Sequence, residues 1–197
     1  MQRVESGRLR GRRLLRLPRG VPGLRPTAAR VRDAIFNRLS SEIRGARVLD
    51  LFGGSGAMSI EAISRGADRA TVVELSGRVA KHLQAQAEAL DVAAQVRVVK
   101  ADALKYLAQR PQPYDLVIVD PPFAKPDIFD AITAALVTGW LADDAIVVCE
   151  RELVRGKSRD VAWPKVLELE ATKNYGQAVV EYLRYARPTS TEPPHDD

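Results

Sequence analysis

The 197-residue sequence has a single cysteine, Cys149, and no apolar run that approaches the length of a membrane span. A lone cysteine excludes an intramolecular disulfide and a multi-cysteine zinc site. Because Cys149 ends an apolar run, we expect it to be a core residue rather than a nucleophile. A membrane-spanning helix would need roughly 18 apolar residues, and no signal-peptide pattern follows the basic N-terminus. We therefore expect a cytoplasmic protein whose one main domain has a sizeable core.

Lysine is absent before Lys81, whereas arginine is concentrated at the N-terminus. The first 32 residues contain ten arginines and one acid, Glu5, and so carry +9, although the whole chain carries only +5. Residues 33–197 are therefore mildly acidic. A solvated charged face could explain such a run, but an excess of one sign confined to one end favours a polyanionic partner. Arginine also suits phosphate contact and base stacking. The predicted RNA-binding residues are Arg8, Arg10, Arg12, Arg13, Arg30 and Arg32.

The N-terminal 24 residues are predicted to form an arm. Two short strand-like segments joined through Gly7 and Gly11 predict a β-hairpin with an arginine-rich face. A helix should follow, with Thr27 as its N-cap and apolar residues at helical spacing. The main domain is then expected over 25–187. Residues 188–197 lack apolar side chains and are predicted to be a flexible tail.

From residue 46 onward, strand-like and helix-like segments alternate, which predicts an α/β fold with a mostly parallel sheet covered on both faces. The predicted strands lie near 47–51, 70–74, 96–99, 115–119 and 144–149, and the predicted helices near 57–66, 76–91, 102–109 and 127–138. Two further strand-like segments, 166–170 and 178–183, are separated by a short turn that contains Gly176. They predict an antiparallel hairpin that completes the sheet.

A glycine-rich turn, Asp50 to Gly56, joins the first predicted strand to a helix. Such glycines allow a tight turn and let a ligand approach the backbone beside the helix N-terminus. Glu74 ends the second strand, where an acidic side chain commonly binds ribose hydroxyls. Asp102 follows the third strand and could accept a hydrogen bond from an adenine amino group, while the Ala103 N–H bonds the ring. The pattern predicts a nucleoside-containing cofactor; the alternative is a glycine-rich turn with surface acids.

The position of Asp50 separates two kinds of cofactor. A carboxylate just before the glycines would repel a pyrophosphate but would pair with the ammonium of an amino-acid-bearing cofactor. Ser59 also stands at the third place of the Gly-x-Gly-x-x-Gly pattern that is typical of dinucleotide binding. We therefore predict S-adenosylmethionine rather than a nicotinamide dinucleotide.

A stiff tetrapeptide follows the predicted strand 115–119, and its residues are Asp120, Pro121, Pro122 and Phe123. The two prolines fix φ and supply no N–H, so they force a rigid exit from the sheet. The Asp120 carboxylate and the Pro121 carbonyl are acceptors that suit an amino group. Phe123 could stack on the ring that carries this amine, worth about 1–3 kcal/mol. The tetrapeptide predicts a clamp for a planar base; the alternative is a proline-rich loop with a core-facing Phe123.

Together these motifs resemble the class I amino-group methyltransferases of nucleic acids. Four longer stretches resemble the RsmD family more specifically, and the resemblance extends to about Arg187; the stretches are Ser6-Gly7-x-x-Arg10-Gly11-Arg12, Gly23-Leu24-Arg25-Pro26-Thr27-x-x-Arg30-Val31-Arg32, Glu61-Ala62-x-Ser64-Arg65-Gly66-Ala67 and Gly139-Trp140-Leu141. These bacterial enzymes methylate the exocyclic nitrogen of one guanine in small-subunit (16S) ribosomal RNA. Two positions depart from the family pattern: Glu5 stands where an apolar residue is usual, and Gly53 where alanine is common.

The resemblance implies a Rossmann-like methyltransferase sheet of seven strands, with the helix from Thr27 closing over the methionine end of S-adenosylmethionine. It implies that the tetrapeptide from Asp120 to Phe123 holds the target base and that no metal is needed. The implied substrate is 16S ribosomal RNA on an assembling small subunit (30S particle). A DNA amino-group methyltransferase with the same tetrapeptide and a non-catalytic RNA-binding module are the alternatives. The implied cofactor-binding residues are Thr27, Asp50, Phe52, Gly54, Ser55, Gly56, Glu74, Leu75, Asp102 and Ala103.

Overall fold

A computed structural model of the chain describes residues 2–18, 20, 28–122, 128–152 and 161–187. Within these residues five helices and seven strands alternate along the chain. In order they are α1 (Ala29–Arg38), β1 (Arg47–Asp50), α2 (Ala57–Ser64), β2 (Arg69–Glu74), α3 (Gly77–Ala89), β3 (Val96–Lys100), α4 (Ala103–Leu107), β4 (Tyr114–Val119), α5 (Ile128–Leu136), β5 (Leu141–Glu152), β6 (Leu167–Tyr175) and β7 (Ala178–Tyr185).

The strands form one sheet in the order β3-β2-β1-β4-β5-β7-β6. The first five strands are parallel, whereas β7 runs antiparallel to both β5 and β6. The predicted mostly parallel sheet with an antiparallel C-terminal hairpin is thus confirmed. The chain moves outward from β1 through β2 to β3 and then returns to β4 on the other side of β1. The carboxyl ends of β1 and β4 therefore flank the point at which the strand order reverses, which is where open α/β sheets bind ligands.

The two faces of the sheet bury alternate residues of each strand, as the period of two in a strand requires. Val48 of β1 packs in one core with α1, α2 and apolar residues of the N-terminal arm. Leu49 faces the other core, which contains α4, α5 and Trp140. Cys149 is fully buried in this second core, and burial raises the pKa of its thiol. Its expected role as a core residue is consistent with this position.

Some element ends differ from the prediction. Helix α1 begins at Ala29 with Ala28 as its N-cap, so the expected N-cap at Thr27 is wrong; Thr27 itself lies outside the described residues. Strand β5 begins at Leu141 rather than near 144, because Leu141 pairs with Tyr114 before an irregularity shifts the register. The predicted tail, 188–197, also lies outside the described residues.

The N-terminal arm, residues 2–18, doubles back on itself and packs against the main domain. A single antiparallel bridge joins Arg3 to Arg13. The side chains of Val4, Leu9 and Leu14 are buried in the core that contains α1 and α2. The arm is therefore anchored by apolar burial, although its composition is dominated by arginine.

Candidate functional site

The predicted site residues follow the carboxyl ends of neighbouring strands. In the parallel pair of β1 and β4, Asp50 lies opposite Ile118, so Asp120 follows only two residues beyond the partner of Asp50. Glu74 ends β2, which pairs with β1 on its other side. The sheet therefore brings Asp50, Glu74 and Asp120, three of the four predicted site carboxylates, to the same end of neighbouring strands.

The glycine-rich turn is held in place by Glu74. The Gly54 N–H donates to one Glu74 carboxylate oxygen at 3.0 Å, and the Ser76 N–H donates to the other at 2.7 Å. Gly56 has φ +71° and is the N-cap of α2. A Cβ at Gly56 would lie 2.5 Å from Leu83 Cδ2, so glycine is required there for both conformation and space. The turn thus approaches α3 closely and presents backbone to the site.

Gly53 also lacks space for a side chain. A Cβ at this position would lie 2.6 Å from Val72 Cγ1 and 2.8 Å from Leu83 Cδ1. The departure from alanine therefore has a packing reason in this chain.

Asp50 is a buried carboxylate with few partners. It is 2 % exposed; one oxygen accepts from the Ser59 hydroxyl at 2.7 Å and the other from the Phe52 N–H at 3.3 Å. Burial raises the pKa of Asp50 to about 6, the hydrogen bond from Ser59 opposes this rise, and the charge of Glu74 adds to it. A cationic ligand would relieve this cost, because an adjacent positive charge favours the ionised carboxylate. Asp50 therefore fits the ammonium of an amino-acid-bearing cofactor.

The opposite end of the predicted cofactor site combines an apolar surface with a short helix. The side chain of Leu75 is 68 % exposed beside Glu74, an unusual state for a leucine and one that suits a contact with a flat ring. Asp102 caps α4 by accepting from the Leu104 and Lys105 N–H groups with Oδ1. Ala103, the first residue of α4, is buried. Asp102 is thus held rigidly with its second oxygen outside these cap bonds.

The tetrapeptide after β4 is described only in part. Asp120 is half-buried, Pro121 is buried and Pro122 is exposed, whereas Phe123 lies outside the described residues. Asp120 makes further interactions of its own. The predicted stacking by Phe123 therefore remains a prediction.

Arg32 is not on an RNA-binding surface, and this prediction is wrong. Its side chain is 1 % exposed and lies between two acids: Nη2 is 2.9 Å from the Glu5 carboxylate and Nε is 3.6 Å from that of Glu61. Nη2 also donates to the Arg3 carbonyl at 2.7 Å. Burial follows from these partners, which the arm and α2 supply. Glu5, the other departure from the family pattern, is thus an ion-pair partner of Arg32.

The arm is docked mainly by the carboxyl end of α2. The fully buried Glu61 accepts from the backbone N–H groups of Glu5 and Ser6 at 2.8 and 2.9 Å. The Ser64 hydroxyl accepts from the Leu9 N–H at 3.0 Å. Glu61 and Ser64 therefore hold the arm at its backbone, which leaves its arginine side chains facing outward.

The remaining predicted RNA-binding residues are exposed, as such a role requires; these are Arg8, Arg10, Arg12, Arg13 and Arg30. The Arg8 guanidinium donates to Gln95, and Arg12 donates to the Ala89 carbonyl at 3.0 Å. Ala89 is the last residue of α3, and Gln95 directly precedes β3 at its amino end. The tip of the arm therefore lies at the amino ends of the strands, whereas Asp50 and Asp120 lie at their carboxyl ends.

Two residues of the site were missed from the sequence. Ser59 orients Asp50, and the signal for it was the serine in place of the third glycine. Gln86, a buried residue of α3, donates to the Ser55 carbonyl at 2.9 Å and accepts from the Leu15 N–H at 3.1 Å. It links the arm to the cofactor turn, and no local sequence signal marks it.

In the described part of the chain, no group of three or more histidine, cysteine, aspartate or glutamate residues is arranged to hold a metal ion. Over the same ranges, no helix combines the length and the apolar character that crossing a bilayer requires.

Comparisons with known proteins agree with this geometry. The family described as conserved hypothetical protein 95 matches residues 2–184. Ribosomal RNA small subunit methyltransferase D of Escherichia coli strain K12 is 42% identical over 154 residues, which cover 78% of this chain and 76% of that protein. The solved structure of a putative methyltransferase, yhhF, from Escherichia coli has a TM-score of 0.83 and 36% identity, and the match covers 94% of this chain and 98% of that one.

A more distant structure shows the same fold. An RNA methyltransferase from Salinibacter ruber, solved in complex with S-adenosyl-L-homocysteine, has a TM-score of 0.64 at 18% identity. The match covers 87% of this chain and 98% of that one. The fold is that of the class I methyltransferases, and S-adenosylmethionine is the predicted cofactor that these comparisons bear out. The family match and the identity to its relatives show that this chain belongs to the RsmD family of S-adenosylmethionine-dependent methyltransferases.

Proposed function

We propose that this protein transfers a methyl group from S-adenosylmethionine to the exocyclic amino group of a guanine in small-subunit ribosomal RNA. The observation that carries the proposal is the register of β1 and β4, which puts Asp120 and the following prolines next to the Asp50 turn. A base acceptor site and a cofactor site thus share one edge of the sheet. The names of the relatives support ribosomal RNA as the substrate.

We assign the cofactor's contacts by chemistry. Asp50 would hold the ammonium of the methionine part, and the backbone of the Gly54–Gly56 turn would border it. Glu74 would accept from the ribose hydroxyls, although its oxygens already bind Gly54 and Ser76; each carboxylate oxygen has a second lone pair for this purpose. Leu75, Asp102 and Ala103 would contact the adenine. When bound, S-adenosylmethionine supplies a sulfonium methyl that is already activated for transfer.

The protein's own contribution is to position the nucleophile. The amino group of guanine is conjugated with the ring and is a poor nucleophile. Hydrogen bonds from its two N–H groups to Asp120 and to the Pro121 carbonyl would favour a pyramidal nitrogen with an available lone pair. Positioning of this kind can contribute on the order of 7–11 kcal/mol. A stacked base must first be extruded, which costs a few kcal/mol.

The decisive test is to map the modified nucleotide. Wild-type protein and Asp120→Ala are incubated with labelled cofactor and, in parallel, with unmodified small-subunit particles, free ribosomal RNA and DNA. We expect one N2-methylated guanine in ribosomal RNA for the wild type, and none for Asp120→Ala with cofactor binding retained in calorimetry. Full activity of the variant would refute the role of Asp120, and modification of DNA or of another atom would refute the assigned substrate.

A further inference from the structure

A basic cavity opens beside the predicted ribose site and is separate from the arm. It has a volume of about 630 Å³ and is lined by six residues, none of them acidic: Gly77, Arg78, Ala80, Lys81, Gln84 and Lys100. The side chains of Arg78, Lys81 and Lys100 are exposed. Three positive charges therefore converge on one open cavity, in a part of the chain whose net charge is negative.

The position of Lys100 is set by the backbone of α3. A Cβ added at Gly77 would lie 3.2 Å from Lys100 Cε and 3.5 Å from Nζ. The ammonium thus rests against the first residue of α3, where the helix N-terminus also favours negative charge. Gly77 leaves space for this contact, which places the Lys100 ammonium at the start of α3.

The cavity lies at the carboxyl ends of the strands, where the predicted site residues also lie. Lys100 pairs with Glu74 in the register of β2 and β3, and Gly77 follows Glu74 by three residues. The tip of the arm contacts Gln95 instead, at the start of β3. The five residues of β3 separate these two places by about 15 Å, at roughly 3.3 Å per residue.

Because of this separation, the arginines of the arm cannot balance the negative charge at the carboxyl ends of the strands. The end of the sheet that would receive the target base carries three half-buried acids, Glu74, Asp102 and Asp120, which repel an RNA backbone. The arginines at the tip of the arm are too far away to offset them fully, because salt screens exposed charges beyond a Debye length of about 8–10 Å. Lys100 is the cavity cation placed next to Glu74, because the two residues are paired in neighbouring strands.

The cofactor does not account for the cavity. S-adenosylmethionine carries no phosphate, and its one carboxylate belongs to the methionine end, which we assign to the turn after Asp50. Lysine is a point charge that suits sequence-independent contact with phosphate, and phosphate contacts position a nucleic acid without reading its bases.

We propose that Arg78, Lys81 and Lys100 bind backbone phosphates of the RNA strand that flanks the target nucleotide. The inference rests on the proposed function, since it takes RNA as the substrate. The arm and the cavity would then bind the RNA at opposite ends of β3. The cavity lies at the carboxyl end of β3, and Asp120 follows the carboxyl end of β4 at the same end of the sheet.

The test compares two charge-matched double variants. Lys81→Gln with Lys100→Gln removes two charges from the cavity, whereas Lys165→Gln with Lys173→Gln removes two exposed charges near and on β6. Binding to unmodified ribosomal RNA is titrated over a range of salt concentrations. The cavity variant should reduce the slope of log affinity against log salt by about 1.4, at about 0.7 for each phosphate contact, and raise the Michaelis constant for RNA about tenfold. The kcat at saturating RNA and the calorimetric affinity for S-adenosylmethionine should be unchanged.

Equal salt slopes for the two double variants would overturn the proposal. A parallel loss of cofactor affinity in the cavity variant would overturn it too, because the cavity would then serve the cofactor. The slopes are measured by binding alone, so they remain informative if the wild type fails to methylate guanine, which would refute only the proposed reaction.

Discussion

The carboxylate of Glu61 lies 3.6 Å from Nε of Arg32, and both side chains are excluded from solvent. Glu61 also accepts two backbone N–H groups of the arm and the Arg65 guanidinium. These donors together satisfy the buried Glu61 carboxylate and stabilise its negative charge. The pair therefore connects the position of the arm to the stability of the main domain.

Replacing Arg32 by alanine should lower the free energy of unfolding by about 3–5 kcal/mol, because it leaves Glu5 and Glu61 without their buried cation. Urea denaturation measures this loss. The exposed Arg10→Ala is the control and should change stability by no more than about 0.5 kcal/mol. Equal effects for the two variants would contradict the role of Arg32 as a buried ion-pair partner.

Asp50→Asn should stabilise the protein without ligand at neutral and alkaline pH. The pKa of Asp50 is raised to about 6, so the folded state binds this proton more tightly than the unfolded state does. The stabilising contribution is thus complete below the ordinary carboxyl pKa and is lost as the pH rises through about 6. The variant should be more stable by up to about 3 kcal/mol near pH 8 and nearly equal to wild type near pH 4.

The same variant should lose affinity for S-adenosylmethionine, and calorimetry across this pH range measures it. Wild-type affinity should fall as Asp50 is protonated below about pH 6, by up to tenfold per pH unit, whereas that of the variant should vary little. A variant that is destabilised at high pH would contradict the raised pKa of Asp50. A variant that keeps wild-type affinity would show that Asp50 does not hold the ammonium.

Alanine at Gly56 should cost more than alanine at Gly11. Both glycines have positive φ, +71° and +81°, so both variants incur the left-handed strain of about 1–2 kcal/mol. Only Gly56 is crowded, by Leu83 and Gln86, whereas a Cβ at Gly11 would meet nothing within 4 Å. We expect Gly56→Ala to be less stable by about 1–3 kcal/mol than Gly11→Ala in thermal or urea unfolding. Equal losses would mean that the turn can move away from α3.

Gln86→Leu should weaken cofactor binding although Gln86 is not predicted to touch the cofactor. Leucine has a similar size but removes the part-buried hydrogen bonds to the Ser55 carbonyl and the Leu15 N–H, at about 0.5–1.5 kcal/mol for each bond. Calorimetric affinity for S-adenosylmethionine should fall together with stability. The exposed Gln109→Leu serves as the control. A variant that loses stability but binds the cofactor normally would separate Gln86 from the turn.

The order of strands and helices could be predicted because the spacing of apolar residues alternates between the period of a strand and that of a helix. Once the strands were assigned, the carboxylates at their ends could be assigned to one site. Ser59 was visible as a departure from the glycine pattern, but its hydrogen bond to Asp50 was not. The burial of Arg32 could not be predicted, since its sequence context is the same as that of the exposed arginines around it. Its partner Glu61 is 29 positions away, and only the folded arm completes the ion pair. Local sequence carries no information about such contacts.

The docking of the arm also has a consequence for the order of events during synthesis. The arm is synthesised before its partners, which lie far along the chain: Glu5 bonds Glu61 across 56 positions, Leu15 bonds Gln86 across 71, and Arg8 bonds Gln95 across 87. At roughly 5–20 residues per second, the arm waits for several seconds before its binding groove exists. Throughout that interval the first 32 residues, which carry +9, would lack the contacts that dock the arm and would be exposed to the ribosome's own RNA.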